Sequence, residues 1–221
     1  MRTVIFDLDG TLADTSRDLI AAANHCFRHI GHGDVLDPEG DAATAFRGGR
    51  AMLRLGFERV WPEFTDADID AHYPRLLSAY EEDIDRHTRF YPGAEAAVAA
   101  LRDSGYALGI CTNKPERLAD LLMARLGARD LFASLIGADT LPHRKPHPAP
   151  YRAAVERAGG EIGRSVLIGD TVTDRDTARA AGVPLVLVTF GPAGPGAEAL
   201  EPDAMLGDFD DLGAVVARLI G

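Results

Sequence analysis

Cysteine is scarce in this chain, and the two thiols lie far apart. Cys26 and Cys111 are the only cysteines in 221 residues, and no CxxC pair occurs. This usage argues against a disulfide-stapled scaffold, and no cluster of cysteine or histidine suggests a zinc site. The sequence therefore predicts a reducing, cytoplasmic setting.

The chain also lacks a basic excess and a long apolar run. It carries 34 acidic and 23 basic residues, for a formal net charge of −11. Nucleic acids and anionic membranes attract basic patches, so we expect neither as a partner. The densest apolar run after the N-terminus, residues 185–188, is too short to cross a bilayer. A small anionic substrate stays compatible with this charge, because a bound cation inverts the local charge. We expect a monomer or a homodimer.

Apolar content is sufficient for a sizeable core, at 46% hydrophobic and 26% charged residues. Short apolar runs alternate with helical patterns from about residue 93 onward, and helices end at glycines. This alternation predicts an α/β fold built on a doubly wound parallel sheet. The predicted strands are 4–6, 107–111, 134–136, 166–168 and 185–188, and a flexible loop is predicted over 191–196.

Residues 15–87 contain no convincing strand. Leu19, Ala23 and Phe27 recur at helical spacing, and Pro74 predicts a kink or a restart in the last helix of the segment. We therefore expect two domains. A small all-helical domain over 15–87 is inserted into an α/β core made of 1–14 and 88–221.

Four polar motifs each follow a predicted strand. The first, Asp7-Leu8-Asp9-Gly10-Thr11, places two carboxylates at i and i+2, on the same side of an extended chain. Asp7 is then able to attack an electrophile while Asp9 moves protons. A plain strand-ending turn, which also favours Asp and Gly, is the alternative.

The second and third motifs offer hydrogen-bond donors and a positive charge. The second, Thr112-Asn113-Lys114, offers a hydroxyl and backbone N–H groups at a strand-to-helix junction, which suit a phosphoryl oxygen, although an ordinary helix N-cap is the alternative. Lys145 lies in a proline-rich stretch, where a solvated surface lysine is the alternative.

The fourth motif supplies Asp170 and Asp174, four residues apart at a turn into a helix. Capping of that helix is the alternative, and Asp176 fits the capping role better than either residue.

The carboxyl ends of parallel strands meet at one edge of the sheet, so the four motifs should converge there. We expect Lys145 to be the only cation near four carboxylates: Asp7, Asp9, Asp170 and Asp174. A like-charge pair at about 4 Å costs on the order of 4 kcal/mol at an effective dielectric of about 20. Either several protons are retained or a cation completes the site, and oxygen-only ligands suit Mg²⁺.

With all four motifs in order, the whole chain resembles the haloacid dehalogenase superfamily of aspartate-dependent phosphohydrolases. The helical insertion resembles the small C1-type cap of that family. The runs 91–93 and 112–115 resemble the phosphoglycolate phosphatase-like branch. The resemblance implies a Mg²⁺-dependent phosphatase that acts on a small phosphorylated metabolite, above all 2-phosphoglycolate, through a phospho-aspartate.

The resemblance also implies catalytic roles. Asp7 is the expected nucleophile. Asp9 is expected to protonate the leaving group and then to deprotonate the attacking water. Thr112, Asn113 and Lys145 are expected to hold the phosphoryl group, with Lys145 also orienting Asp7.

The metal ligands and the cap residues follow in the same way. Mg²⁺ is expected on Asp7, the backbone carbonyl of Asp9, and Asp170, with Asp174 supporting the metal waters or Lys145. In the cap, the segment 46–50 resembles the substrate loop of the family. Its candidate substrate-binding residues are Arg47, Gly48 and Arg50, and two solvated arginines are the alternative.

Two other functions remain open at this stage. One is a sugar phosphomutase of the same fold, in which a second substrate hydroxyl replaces water. The other is a non-enzymatic phospho-accepting regulatory module. Asp9 and the helical insertion argue against the module, because a receiver of that kind has neither.

Overall fold

The computed structural model of the protein describes residues 1–191 and 194–221, and the chain forms two compact units. One unit comprises residues 1–14 and 90–221, and the other comprises residues 15–89. The loop predicted over 191–196 lies partly outside the described residues. A 3₁₀ helix, Gly194–Leu200, begins within it, so the loop prediction is wrong for residues 194–196.

The first unit carries most of the strands, and the second is helical. The strands are β1 Thr3–Phe6, β2 Ala13–Asp14, β3 Arg89–Phe90, β4 Ala107–Cys111, β5 Ser134–Ile136, β6 Ser165–Gly169, β7 Leu185–Val188 and β8 Ala204–Leu206. The helices are α1 Ser16–His29, α2 Ala42–Ala45, α3 Gly49–Val60, α4 Asp66–Glu82, α5 Ala94–Asp103, α6 Glu116–Arg125, α7 Pro148–Arg157, α8 Val172–Ala181 and α9 Leu212–Ile220.

Six strands form a parallel sheet in the order β5-β4-β1-β6-β7-β8. The central strand β1 is fully buried and lies between β4 and β6. Phe6, its last residue, is in register with Ile110 on one side and Ile168 on the other. The three strands therefore end at the same level, which brings the residues that follow them together.

Helices cover both faces of the sheet. On one face, Tyr151 of α7 and Ala178 of α8 share a buried cluster with Ile5 and Leu167. On the other face, the ring of Phe6 meets that of Phe132 edge-on, with centroids 6.1 Å apart. The predicted doubly wound α/β fold is confirmed.

All five predicted strands are present, each within one residue of its predicted bounds. The sequence missed the two-residue strands β2 and β3, which form a separate small sheet, and it missed β8. The edge strand β8 has only three residues, and the middle one, Met205, is 46% exposed, so its apolar pattern is too short to recognise.

The helical unit packs around aromatic side chains. The ring of Phe57 lies 5.3 Å from Phe27 and 5.6 Å from Phe64, measured between centroids. The restart predicted at Pro74 does not occur, because α4 continues through this residue from Asp66 to Glu82. Its buried side chains and a capping box at its first turn hold the helix together. No helix of the described residues is both long and apolar enough to cross a membrane.

Buried Asp18 connects the end of the helical unit to its first helix. Its carboxylate accepts hydrogen bonds from the backbone N–H groups of His87 and Thr88 at 2.8–3.0 Å, and from the Thr88 hydroxyl at 2.8 Å. These bonds tie residues 87–88 to α1. The helical unit extends through Arg89, two residues beyond the boundary that the sequence places after His87.

We expect Gly109→Ala to destabilise the α/β unit. A Cβ atom at this position in β4 would lie 2.3 Å from Ser134 Oγ and 2.8 Å from Ile5 Cδ1. Overpacking of this kind costs about 1–3 kcal/mol. Urea unfolding should show a lower midpoint for the variant. The control is Gly213→Ala in α9, where a Cβ meets nothing within 4 Å, and which should gain about 0.5–1 kcal/mol. Equal midpoints for the two variants would contradict the packing argument.

Candidate active site

Asp7 occupies the centre of the carboxyl edge of the sheet. Its backbone N–H continues the sheet by donating to the Ile168 carbonyl at 2.8 Å. One carboxylate oxygen, Oδ1, accepts the N–H of Leu8 at 2.7 Å. The other oxygen, Oδ2, lies 3.2 Å from the ammonium of Lys145. Both oxygens are thus held, and the plane of the carboxylate is fixed.

Lys145 is buried at the same edge of the sheet, so the alternative of a solvated surface lysine is excluded. Only 2% of the residue is exposed, and its Nζ also donates to Asp174 Oδ1 at 2.7 Å. The side chain of Asn113 donates to the Lys145 carbonyl at 3.0 Å, which ties the second motif to the third. Burial by itself lowers the pKa of Lys145, but Asp174 and Asp7 outweigh it and raise that pKa above its usual value. The ammonium therefore stays charged.

Three carboxylates meet beside this lysine. Oxygen atoms of Asp7, Asp170 and Asp174 lie within 4.8 Å of one another, and all three residues are buried. Burial, with help from neighbouring carboxylates and against the charge of Lys145, raises the pKa of Asp7 to about 6. Burial also raises the pKa of Asp170 well above its usual range. The cluster is thus short of positive charge.

Asp170 shows where that charge is missing. Its Oδ1 accepts the hydroxyl of Thr11 at 3.0 Å. Its buried Oδ2 has no hydrogen-bond partner among the residues described by the structure. A buried carboxylate oxygen without a donor is costly, and a hard cation with oxygen ligands satisfies it. The donor set therefore fits a divalent cation.

Asp174 has three structural partners. Its Oδ1 binds Lys145, as described above. Its Oδ2 accepts the N–H of Asp170 at 3.3 Å, and the N–H and the hydroxyl of Thr171 at 3.1 and 2.7 Å. The contacts with Thr171 form a capping box at the start of α8. The sequence favoured Asp176 for capping, and that assignment is wrong. Asp176 instead pairs with Arg175 on the same helix.

A second buried lysine, Lys114, binds Asp9. Its Nζ lies 2.7 Å from Asp9 Oδ1 and 3.0 Å from Oδ2. The expectation that Lys145 is the only cation near the four carboxylates is therefore wrong. A signal was available in the sequence, because Lys114 and Lys145 are the only two lysines among 23 lysines and arginines.

Thr112 lies directly after β4, at the same edge of the sheet. It is 3% exposed, and its backbone N–H donates to the Ile136 carbonyl at 3.0 Å. Its hydroxyl oxygen accepts the N–H of Lys114 at 3.2 Å. The first N–H of α6 is capped by a different residue, since Glu116 N donates to Asp139 Oδ1 at 2.8 Å. The N-cap alternative for Thr112 is therefore excluded.

The cap candidates lie in the helical unit. Arg50, in the first turn of α3, forms an ion pair with Asp70 and lies 4.9 Å from the centroid of the Tyr73 ring. Arg47 is exposed, and its side chain makes no hydrogen bond or ion pair within the part of the chain that the structure describes. Gly48 has a φ of 96°, which favours glycine. The two arginines therefore differ: Arg50 already pairs with an acidic side chain, whereas the Arg47 side chain has no such partner among the described residues.

Comparisons with known proteins agree with this geometry. A family model described as haloacid dehalogenase-like hydrolase matches residues 4–188. The chain is 38% identical over 205 residues to a phosphoglycolate phosphatase of Agrobacterium fabrum, covering 93% of this chain and 88% of that protein. It is 37% identical over 218 residues to a phosphoglycolate phosphatase of Mesorhizobium japonicum, covering 98% and 96%.

A crystal structure from Haemophilus somnus, described as a predicted phosphoglycolate phosphatase, has the same fold. It superposes with a TM-score of 0.85 at 24% identity, over 97% of both chains. The family model and the two relatives each span most of the sequence that forms the sheet and the site. The chain therefore belongs to the haloacid dehalogenase-like hydrolase family.

Proposed function

We propose that this phosphatase hydrolyses a small phosphorylated acid, above all 2-phosphoglycolate, through a phospho-aspartate on Asp7 and with Mg²⁺. The observation that carries the mechanism is the pairing of both carboxylates of the first motif with buried lysines, Asp7 with Lys145 and Asp9 with Lys114. The names of the two relatives support the substrate.

Asp7 supplies the nucleophile. One of its oxygens attacks phosphorus, and the new oxygen–phosphorus bond forms as the bond to the leaving oxygen breaks. Lys145 orients the attacking carboxylate, whose oxygens are already held at 2.7 and 3.2 Å. A fixed nucleophile lowers the entropic part of the barrier.

Asp9 moves the protons of both half-reactions. It gives a proton to the leaving alkoxide, and it then takes one from the water that attacks the acyl phosphate. The second step releases inorganic phosphate and returns the Asp7 carboxylate. Its position two residues after Asp7, with 17% of its side chain exposed, keeps Asp9 at the edge of the site and open to a leaving group.

The phosphoryl oxygens are held by Thr112, Asn113 and Lys145. The hydroxyl of Thr112 accepts from a backbone N–H and so keeps its own proton to donate. Lys145 supplies charge that stays in place throughout the reaction. Phosphoryl transfer depends mainly on such positioning and charge stabilisation.

Asp7, Asp170 and the backbone carbonyl of Asp9 would hold Mg²⁺, with Asp174 supporting its shell or Lys145. When bound, the ion supplies the positive charge that the carboxylates and the phosphoryl group require. The unpartnered Asp170 Oδ2 supports this assignment.

Selectivity for the leaving group requires residues beyond the sheet edge, because the motifs above bind only the phosphoryl group. Arg47, Gly48 and Arg50 of the helical unit are our candidates. Arg50 is already engaged by Asp70, so Arg47 is the better partner for a substrate carboxylate. A guanidinium offers two parallel donors for such a group.

We expect Asp9→Asn to trap the phosphoprotein. The variant keeps the attacking carboxylate but lacks the base for the second step. An aryl phosphate, whose leaving group needs no proton, should still phosphorylate Asp7. Intact-mass measurement after brief exposure should show one added phosphoryl group. Asp7→Asn is the control and should show neither added mass nor phosphate release. Turnover by folded Asp7→Asn would refute the covalent mechanism.

We expect Mg²⁺ to stabilise the protein more as the pH rises through about 6. In the folded protein the pKa of Asp7 is raised to about 6. As the pH rises from the ordinary pKa of an aspartate towards 6, the unfolded chain releases this proton more readily than the folded protein does, so the metal-free protein loses stability. The cation competes with the retained proton. The Mg²⁺-dependent rise in Tm should therefore be larger at about pH 8 than at about pH 5. Asp170→Asn should lose most of the rise, and an equal rise at both pH values would contradict the assignment.

We expect Arg47→Ala to lower kcat/KM for 2-phosphoglycolate much more than for an aryl phosphate without a carboxylate. Loss of a charge-assisted hydrogen bond costs about 1.5–3 kcal/mol, or roughly ten- to a hundredfold. Arg50→Ala is the matched control and should have a small effect on both substrates, since Arg50 pairs with Asp70. Equal losses of Arg47→Ala on both substrates would reopen the substrate class.

A further inference from the structure

Lysine is almost absent from this protein. Of 23 lysines and arginines, only Lys114 and Lys145 are lysines, and both are buried at the carboxyl edge of the sheet. Everywhere else the chain uses arginine. An ammonium is a compact point charge, whereas a guanidinium is a broad planar fork. The two positions thus share a requirement for a small cation beside a carboxylate.

The pair of Lys114 and Asp9 has an unusual arrangement. The ammonium contacts both carboxylate oxygens, at 2.7 and 3.0 Å. The side chain of Lys114 is 3% exposed, and that of Asp9 is 17% exposed. The lysine therefore lies beneath the carboxylate, and the carboxylate lies on the open side. Contact with both oxygens from one atom restricts rotation of the Asp9 side chain.

Lys114 is itself held firmly by backbone contacts. Its N–H donates to the hydroxyl of Thr112 at 3.2 Å, and its carbonyl accepts the N–H of Ala138 at 2.9 Å. These bonds tie the residue to the ends of two neighbouring strands, β4 and β5. A side chain on so short and fixed a segment is well suited to orient another group.

Stability alone is a weak reason for such a pair. Removing a lysine and a carboxylate from water costs several kcal/mol per ion, and their attraction often does no more than offset this cost. The carboxylate of this pair, Asp9, is the group that carries out both proton transfers in the proposed function.

We propose that Lys114 is a positioning residue that holds the Asp9 carboxylate in place for both proton transfers. This inference rests on the proposed function of Asp9. It assigns to Lys114 no contact with the reacting phosphoryl group. Its effect on catalysis therefore passes through Asp9, and it should vanish when Asp9 can no longer transfer a proton.

A double-mutant cycle tests this coupling. With 2-phosphoglycolate as substrate, Lys114→Met should lower kcat by about a hundredfold, because a small misplacement of a catalytic group has an effect of this size. KM should change little. In the Asp9→Asn background, Lys114→Met should cause no further loss. Independent losses that multiply in the double variant would overturn the proposal.

The phosphoprotein gives a second readout that a merely structural role would not change. With an aryl phosphate, Lys114→Met should accumulate phosphorylated protein, because the misplaced Asp9 fails as the base in the second step. Lys114→Arg keeps the charge and should recover part of the lost kcat. Rapid turnover of the aryl phosphate by Lys114→Met without accumulation would count against the inference.

The scarcity of lysine also permits a direct structural check. Protein labelled with carbon-13 at lysine Cε should give two side-chain NMR signals. Lys114→Met removes one and thereby assigns both. Asp9→Asn should shift the Lys114 signal and leave that of Lys145 nearly unchanged, whereas Asp7→Asn should do the reverse. If Lys114→Met does not fold, Lys114→Gln provides the same comparison.

Failure of this inference is distinguishable from failure of the proposed function. Turnover by folded Asp7→Asn refutes the covalent mechanism whatever Lys114 does. Wild-type kcat in Lys114→Met, with Asp7→Asn inactive and Asp9→Asn impaired, removes the positioning role and leaves the mechanism intact.

Discussion

The compensation of buried negative charge is the constraint on which the rest of this site depends. Asp7, Asp170 and Asp174 place their oxygens within 4.8 Å of one another in a buried setting. Carboxylates in that position either take up protons or acquire positive partners. Lys145 supplies one such partner, and Lys114 supplies another for Asp9. The remaining deficit, at Asp170 Oδ2, is what makes a cation part of the proposed function.

The parallel sheet creates this constraint and also makes it tolerable. Because β1 lies between β4 and β6, the residues after these strands meet at one level. Charged side chains are thus crowded just beyond the ends of the strands, where the backbone hydrogen bonds of the sheet stop. The same crowding fixes each side chain, since the oxygens of Asp7 and Asp174 have their partners before any ligand arrives. A site of this kind meets a phosphoryl group with its dipoles already oriented.

Local patterns predicted much of the molecule. Five strands followed from buried apolar runs, and the helical nature of residues 15–87 followed from apolar spacing. The failures have two causes. The edge strand β8 forms by pairing with β7, and the helix through Pro74 buries Leu76 and Tyr80, so both depend on tertiary contacts. The capping role of Asp174 is local, because its partner Thr171 lies only three residues away, and the capping-box pattern was overlooked. Lys114 belongs to the second motif, but its pairing with Asp9 was missed because 105 residues separate the two, although the rarity of lysine was visible in the composition.

The sequence by itself determined the fold class and the order of the motif residues, because apolar runs and helical patterns are local and each motif directly follows its strand. Only the tertiary structure decided which charged side chains form ion pairs with one another. Lys114 and Asp9 are separated by 105 residues, and Lys145 and Asp174 by 29. Such pairings follow from the strand order β4-β1-β6, which no local pattern encodes. In a parallel sheet, neighbouring strands come from distant parts of the chain, so their contacts exist only once the chain has folded.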